Sequence, residues 1–435
     1  MLKKVLFIVS LVILISAGVY AAGAQEVAAV EEGPAKLTVW DIYPEGTPFR
    51  KVLDGAIARF EAAHPGSTVE VISYGDMSNY KTKFATMMAS GGKDADVFQT
   101  WGGGQLASYA GKGLVLDLTA DMQKDGWSQR FSPAALSFVS SSNKVWGVPV
   151  ELANVMFYYN KEIFAKYNLS VPTTFDELLR ICEVLKNNKV IPIVLALNKA
   201  EWVGDMFYQY LVTRIGGLEP FKKAIAREPG GTFEDPAFIE AGKLLQTMVD
   251  AHCFQEGFLG AEYASMRQVF TQEKAAMLLM GSWLPGQISN EAPQMYGKVD
   301  YFRFPTVTGG KGRITDIVGG TNAAFAVSSA TRYPEAAKAL MREFSSELTA
   351  KDVLGIAKRL PAAKFSLEGV TMDELTKRVI AEVDQSTGIQ LYYDQSSTPS
   401  LAQTHLSSIS ALYAKLTTPE KKAAEWEAAA KKELQ

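Results

Sequence analysis

Two α/β lobes joined by a hinge of several strand crossings, with a cleft between them, are the architecture this sequence predicts. Three observations predict it. The chain has 435 residues, more than one hydrophobic core comfortably organises, so it divides. Strand-like and helix-like segments alternate both before and after one central stretch. That stretch, Asn143–Phe164, reads N-K-V-W-G-V-P-V-E-L-A-N-V-M-F-Y-Y-N-K-E-I-F. It stays extended because Pro149 fixes its own φ and drives Val148 out of the helical region. It then carries Glu151 and Asn154 among apolar residues, enters a Phe157–Tyr159 strand and opens a helix near Asn160. We read it as a passage from one lobe to the other, with Glu151 beside the cleft.

Taken in order, Lys36–Asp41 alternates like a strand, and Phe49–Ala63 has helical spacing that Pro65-Gly66 stops. Thr68–Tyr74 alternates again, giving a β-α-β unit with parallel strands and a right-handed crossover. Asn79–Ser90 is a helix, Ala95–Gln99 a strand, and Gln105–Ala110 a helix ended by glycines. Beyond the passage, Thr174-x-x-Glu177 is a capping box opening helix Phe175–Asn187. Ile191–Leu197 is a continuous apolar strand, as in a sheet covered on both faces. Helices follow at Gly204–Ile215, from Pro236 to about Cys253, and at Tyr263–Glu273. Ala275–Met280, Val299–Pro305 and Ile317–Val327 are strands, and Pro334–Glu347 is a helix. From Thr349 the chain reads as mostly helical, with loops at Arg359–Pro361 and Gly388–Ser400. Thr418-Pro419 caps and starts the last helix. The expected boundaries are 36–148 plus 284–328 for the N-terminal lobe and 149–283 plus 329–435 for the C-terminal lobe.

Residues 1–24 read as a signal peptide. Lys3 and Lys4 precede an apolar run, Val5–Ile15, and Ala22-Gly23-Ala24 is an A-x-A cleavage site. The run is shorter than the ~20 apolar residues that span a bilayer. No cysteine follows it, so no lipid anchor is expected. A hydrophobic fraction of 47% with 21% charged residues fits an ordinary soluble protein. A formal charge of −3 without a basic stripe gives no footprint for nucleic acid. Export permits a disulfide between Cys182 and Cys253, but Cys182 lies on an apolar helical face and reads as a buried free thiol.

Metal and cofactor chemistry find no support. His64, His252 and His405 lie far apart, without H-x-x-x-H or C-x-x-C, and no cofactor is expected. Gly309–Arg313 is glycine-rich but lacks phosphate-loop spacing and reads as a turn. What stands out is tryptophan with carboxylate at strand ends, where open α/β sheets bind ligands. Trp40-Asp41 ends the first strand, Trp101 the third, and Trp283 follows Gly281-Ser282. Trp202 and Asp205 make a second such pair, and Glu151 is a further candidate. An indole covers the apolar face of a sugar ring while carboxylates and amides take its hydroxyls. Tyr393-Asp394 can reach the cleft from a late loop. Asp76 reads as a helix cap, and Tyr158, Tyr159, Met87 and Met88 read as core.

Several segments in order resemble the family 1 extracellular solute-binding proteins of ABC importers, the maltose-binding-protein group. They are L-T-V-W, A-R-F-E-A-A-H-P-G, D-A-D-V-F-Q, W-G-V-P-V-E, F-Y-Y-N-K-E-I-F, V-P-T-T-F-D-E-L, K-A-A-M-L-L-M-G-S-W and G-G-T-N-A-A-F-A-V-S. The resemblance implies a periplasmic-binding-protein-like fold that captures a sugar or oligosaccharide by hinge closure. It implies delivery to ABC permease subunits in the membrane, a periplasmic location and a monomer. By position it assigns ligand contacts to Trp40, Asp41, Trp101, Glu151, Trp283, Gly319, Gly320 and Arg359. Two alternatives stay open: a secreted glycan-acting enzyme with two cleft carboxylates, and a partner that presents ligand to a membrane sensor.

Overall fold

The computed structural model describes residues 33–434, so the expected leader lies outside the described residues. Strand β1 (Lys36–Asp41) leads into helix α1 (Pro48–Ala63), which buries Phe49, Val52, Leu53, Ala56, Ile57 and Phe60 on one face. β2 (Thr68–Ser73) pairs parallel to β1, completing the crossover. Asp76 caps α2 (Met77–Ala89), accepting from the Asn79 N–H at 2.8 Å. β3 (Val97–Thr100) pairs with the other edge of β1, and α3 (Gly103–Gly111) starts just past Trp101.

The central stretch is one continuous strand, β4 (Val148–Asn160), rather than a short extended run and a separate Phe157–Tyr159 strand. Pairing on both edges holds the intervening residues extended. The capping box of Thr174 and Glu177 opens α4 (Phe175–Asn187). β5 (Ile191–Ile193) is shorter than expected, because Val194–Leu197 leave the sheet as a buried loop before α5 (Glu201–Gly216). Then come α6 (Pro236–Asp250), α7 (Tyr263–Thr271), β6 (Ala275–Gly281), α8 (Leu284–Glu291), β7 (Val299–Phe302) and β8 (Asp316–Val327). The remainder holds α9 (Pro334–Phe344), α10 (Glu347–Gly355), β9 (Leu360–Pro361), α11 (Glu374–Asp384) and β10 (Gly388–Leu391). It ends with α12 (Tyr393–Ser396), α13 (Pro399–Tyr413) and α14 (Pro419–Glu433). β10 occupies part of the expected Gly388–Ser400 loop.

The strand order is β2-β1-β3-β8-β4-β6-β5, with β7 and β9 also on β4 and β10 on β8. β4 and β8 run antiparallel through the waist and belong to both lobes. Val148 and Val150 pack with Leu37, Phe49 and Phe60, whereas Val155–Tyr158 pack with Phe207 and Leu279. β8 divides likewise, with Val318 in the second core and Phe325 in the first. A third passage lies between Ala363, in the first core, and Leu375, in the second. The cores also move two segments across the expected boundaries. Leu284, Ile288 and Phe302 pack in the second lobe, and Ala337, Phe344 and Val353 in the first. Helical periodicity says that a face is buried, not which sheet covers it.

Cys182 and Cys253 are buried free thiols, and burial, with the neighbouring Cys253, pushes the Cys182 thiol up. No helix among the described residues is long and apolar enough to cross a membrane.

At the waist, a Cβ on Gly319 would sit 2.5 Å from the Ala153 carbonyl oxygen. Gly319→Ala should therefore force β4 and β8 apart and cost roughly 1–3 kcal/mol, read as a lower urea midpoint. An unchanged midpoint would show that the pairing there is slack.

Candidate functional site

The crossings gather polar side chains that the surrounding cores do not need. In register, Asn154 faces Gly319, while Leu152 faces both Thr321 and Leu360. Tyr392, just past β10, donates its N–H to the Gly319 carbonyl at 3.3 Å, and the Ser282 N–H donates to the Asn154 carbonyl at 2.8 Å. Four elements thus bring Glu151, Asn154, Thr321, Arg359 and Tyr392 to one level of the waist. Among the described residues, ten buried side-chain polar atoms lack a hydrogen-bond partner within the protein. Nine of them lie here: Glu151 Oε1, both amide atoms of Asn154, Thr321 Oγ1, the Tyr158 and Tyr392 hydroxyls, Trp40 Nε1, Asp41 Oδ2 and Ser73 Oγ. Each such atom costs about 1–3 kcal/mol if nothing pairs with it. A concentration of them marks a place whose hydrogen bonding is completed by groups outside the chain, ordered water included.

The charges are arranged around one internal pair. The Arg359 guanidinium donates to Glu151 Oε2 at 2.8 Å while lying over Phe49 and Tyr43 at 4.8 and 5.6 Å from their ring centroids. Burial pushes the Glu151 carboxyl up, and Arg359 opposes that. Asp41 is fully buried and its pKa is pushed up to about 6, because burial outweighs the Tyr43 N–H at 2.9 Å. The Ser73 hydroxyl, opposite Asp41 in β2, also opposes that rise, without a well-aligned hydrogen bond.

Aromatic walls flank these groups on both lobes. On the second, Trp283 folds over Gly281, where a Cβ would lie 2.0 Å from the indole, and its N–H donates to the Tyr263 hydroxyl at 3.0 Å. Trp202 stands 6.1 Å from Trp283 and 5.2 Å from Tyr263, centroid to centroid. On the first, Trp40 meets Tyr74 edge-on at 4.9 Å, and Trp101 meets Tyr80 at 5.8 Å beneath Lys81 Nζ. The lobes touch beside the site: Lys81 Nζ reaches Asp394 Oδ2 at 3.2 Å, and the Gln105 amide donates to the Asp394 carbonyl at 2.9 Å.

Two expected contacts lie elsewhere. Asp205 does not join Trp202. Its Oδ1 meets His405 Nε2 at 2.6 Å, and its Oδ2 accepts from Gln209 at 2.7 Å. Helix α5 is buried on nearly every side, so three residues of offset turn Asp205 into the helical layer. There His405 Nδ1 faces Lys422 Nζ at 3.4 Å, and Lys422 is fully buried against the Tyr208 and Trp426 rings. Tyr393 packs among Phe221, Phe233 and His405, its hydroxyl accepting from the Trp426 N–H at 2.8 Å. Its neighbour Tyr392 stands at the waist instead, 3.5 Å from where a Cβ on Gly320 would be. Sequence reasoning noted Asn154 without assigning it a role, and passed over Tyr43, Tyr263, Thr321 and Tyr392. A polar residue alone in an apolar strand was the available signal for Asn154. Among the described residues no cluster of three metal-ligating side chains occurs.

The family model of the bacterial extracellular solute-binding proteins matches residues 43–347. A structure from work on xylan utilization by the thermophilic bacterium Caldanaerobius polysaccharolyticus superposes with a TM-score of 0.83 at 30% identity, covering 91% of this chain and 99% of that one. A chitin oligosaccharide binding protein superposes with a TM-score of 0.84 at 26% identity, covering 92% and 98%. The melibiose/raffinose/stachyose-binding protein of Bacillus subtilis is 23% identical over 355 residues, 80% of this chain and 76% of the relative.

Apart from the waist, the Asp205–His405–Lys422 cluster makes its own prediction. Burial lowers His405 from 6.5 to about 4, against the pull of Asp205. Between those values the unfolded chain binds a proton that the folded chain does not, so stability falls as pH drops through that window. Urea unfolding at pH 7 and pH 4.5 should differ by roughly 2 kcal/mol more in the wild type than in His405→Gln. Equal differences would mean that folding leaves the His405 pKa unshifted.

Proposed function

The chain belongs to the bacterial extracellular solute-binding proteins, and we propose from that premise that its solute is a sugar or oligosaccharide captured as the lobes close. The observation that carries this is the set of nine unpartnered polar atoms at the waist, flanked by indole and phenol rings from both lobes. A carbohydrate supplies both complements at once, hydroxyls for the first and C–H faces for the second. An amino acid would need fixed charge partners for both its ammonium and its carboxylate, and Arg359, which could meet the carboxylate, is already paired with Glu151. The chitin oligosaccharide and melibiose/raffinose/stachyose binding proteins, and the structure from work on xylan utilization, support the same class.

Each lobe holds part of the site, so ligand favours the closed form by its greater affinity for it. The closed protein then presents both lobes to ABC permease subunits and releases the sugar unchanged, acting as a periplasmic monomer and not as an enzyme. Binding orders the polar atoms without bond cleavage, and the Glu151 carboxylate serves as an acceptor held in place by Arg359.

A thermal-shift screen with xylotetraose, chitotetraose and stachyose, using amino acids and polyamines as controls, tests the reading. A sugar at 100 times its Kd adds about 2.7 kcal/mol of stability, and it should be recovered intact. Shifts with amino acids alone would overturn the carbohydrate assignment, and cleaved sugar would make the protein an enzyme. Trp283→Ala should weaken the binding by more than ~1.5 kcal/mol, as loss of a stacking aromatic does. Retained affinity would remove Trp283 from the site.

A further inference from the structure

The two lobes meet backbone against backbone at two places, and a glycine stands at each. Gly104, in the first turn of α3, belongs to the first lobe. A Cβ on it would lie 2.6 Å from both the Ser396 and Ser397 carbonyl oxygens of the second lobe. Gly286, in α8, belongs to the second lobe. A Cβ there would lie 2.1 Å from the Ala357 carbonyl oxygen of the first. The two contacts flank the waist. Gly104 follows Trp101 and adjoins the Lys81–Asp394 ion pair, while Gly286 follows Trp283 and faces the segment that carries Arg359.

Neither glycine is explained by its own backbone. Gly102 and Gly103 have φ of 77° and 60°, which favour glycine whatever surrounds them, but Gly104 and Gly286 are not among the positive-φ glycines. Both sit in helices, where alanine is the better helix former. What excludes a methyl group at each is therefore the opposite lobe. The seam at Gly286 is not packed solid. A pocket of about 200 Å³ lies beside it, lined by residues of both lobes that include Lys51, Ser289, Asn290 and Lys358. The Gly286–Ala357 approach is thus a point contact that can separate without tearing a core.

We propose that Gly104 and Gly286 are the positions that permit closure, two bare backbone contacts that set how far the lobes shut and hence how tightly solute is held. This rests on the closure reading of the proposed function and adds the residues that limit it. A methyl group at either position holds the lobes apart without disturbing the lobe that carries it. The variants therefore separate closure from folding: stability of the ligand-free protein stays level or rises, while affinity falls. A purely structural glycine would behave in the opposite way.

The test uses spin labels at the exposed Lys83 and Lys421, one on each lobe. The interlobe distance distribution is measured without ligand and with xylotetraose, chitotetraose and stachyose. The variants are Gly104→Ala, Gly286→Ala and, as control, Gly111→Ala, whose Cβ meets nothing within 4 Å in the same helix as Gly104. The wild type and Gly111→Ala should show a short-distance component with the sugar that binds. Gly104→Ala and Gly286→Ala should lose it, bind that sugar at least tenfold more weakly, and melt no lower than wild type. A short component of wild-type size in both variants overturns the inference and leaves sugar binding intact. A wild type that never shortens with any of the sugars overturns the closure reading, and this inference with it.

Discussion

The backbone pairing of β4 with β8 at the waist is the constraint on which the rest of this molecule depends. Both strands cross from one hydrophobic core to the other, and their antiparallel ladder fixes which residues meet between the cores. Gly319 lets the two backbones approach, which places Asn154 opposite it. A slip of one residue would send every one of these side chains to the opposite face. Glu151 would then enter a core without Arg359, and the polar atoms of the waist would scatter.

That ladder holds an arrangement which is poor as packing and good as recognition. Nine buried polar atoms without partners tilt the balance against a closed, empty cleft. Opening lets water reach them, and a polyhydroxylated ligand replaces that water on closure. The same feature that weakens the empty closed form therefore couples binding to the hinge. Glu151 and Arg359 stand apart from it. They satisfy each other's charge inside the site, so a neutral ligand meets fixed dipoles and acceptors there, with the Asp41 carboxyl as the one acidic group at the waist not held in an ion pair among the described residues.

Much of this was legible in the sequence, because the signals were local. Proline and glycine punctuation, helical spacing and the capping box placed most elements within a few residues, and strand ends and the family resemblance named Trp40, Asp41, Trp101, Glu151, Trp283 and Arg359 as candidates. What escaped was set by packing over long sequence separations. The Asp205–His405 pair joins residues 200 positions apart, and no pattern near Trp202 announces it. Tyr392 and Tyr393 are adjacent and alike, and only the direction of the chain leaving β10 decides which of them faces the waist. The lobe that covers α8 or α9 was hidden for the same reason.

The central claim is that the unpartnered polar atoms exist for the ligand and not for the fold, and Asn154 tests it most directly. Asn154→Leu keeps the number and branching of the side-chain heavy atoms and removes the one side chain with both polar atoms unpartnered. Calorimetric titration with the sugar found by screening, together with urea unfolding of the ligand-free protein, should show affinity reduced more than tenfold and stability equal to wild type or higher by about 1 kcal/mol. Undiminished affinity, or a marked loss of stability, would mean that the Asn154 amide serves the waist itself and that the solute is recognised elsewhere.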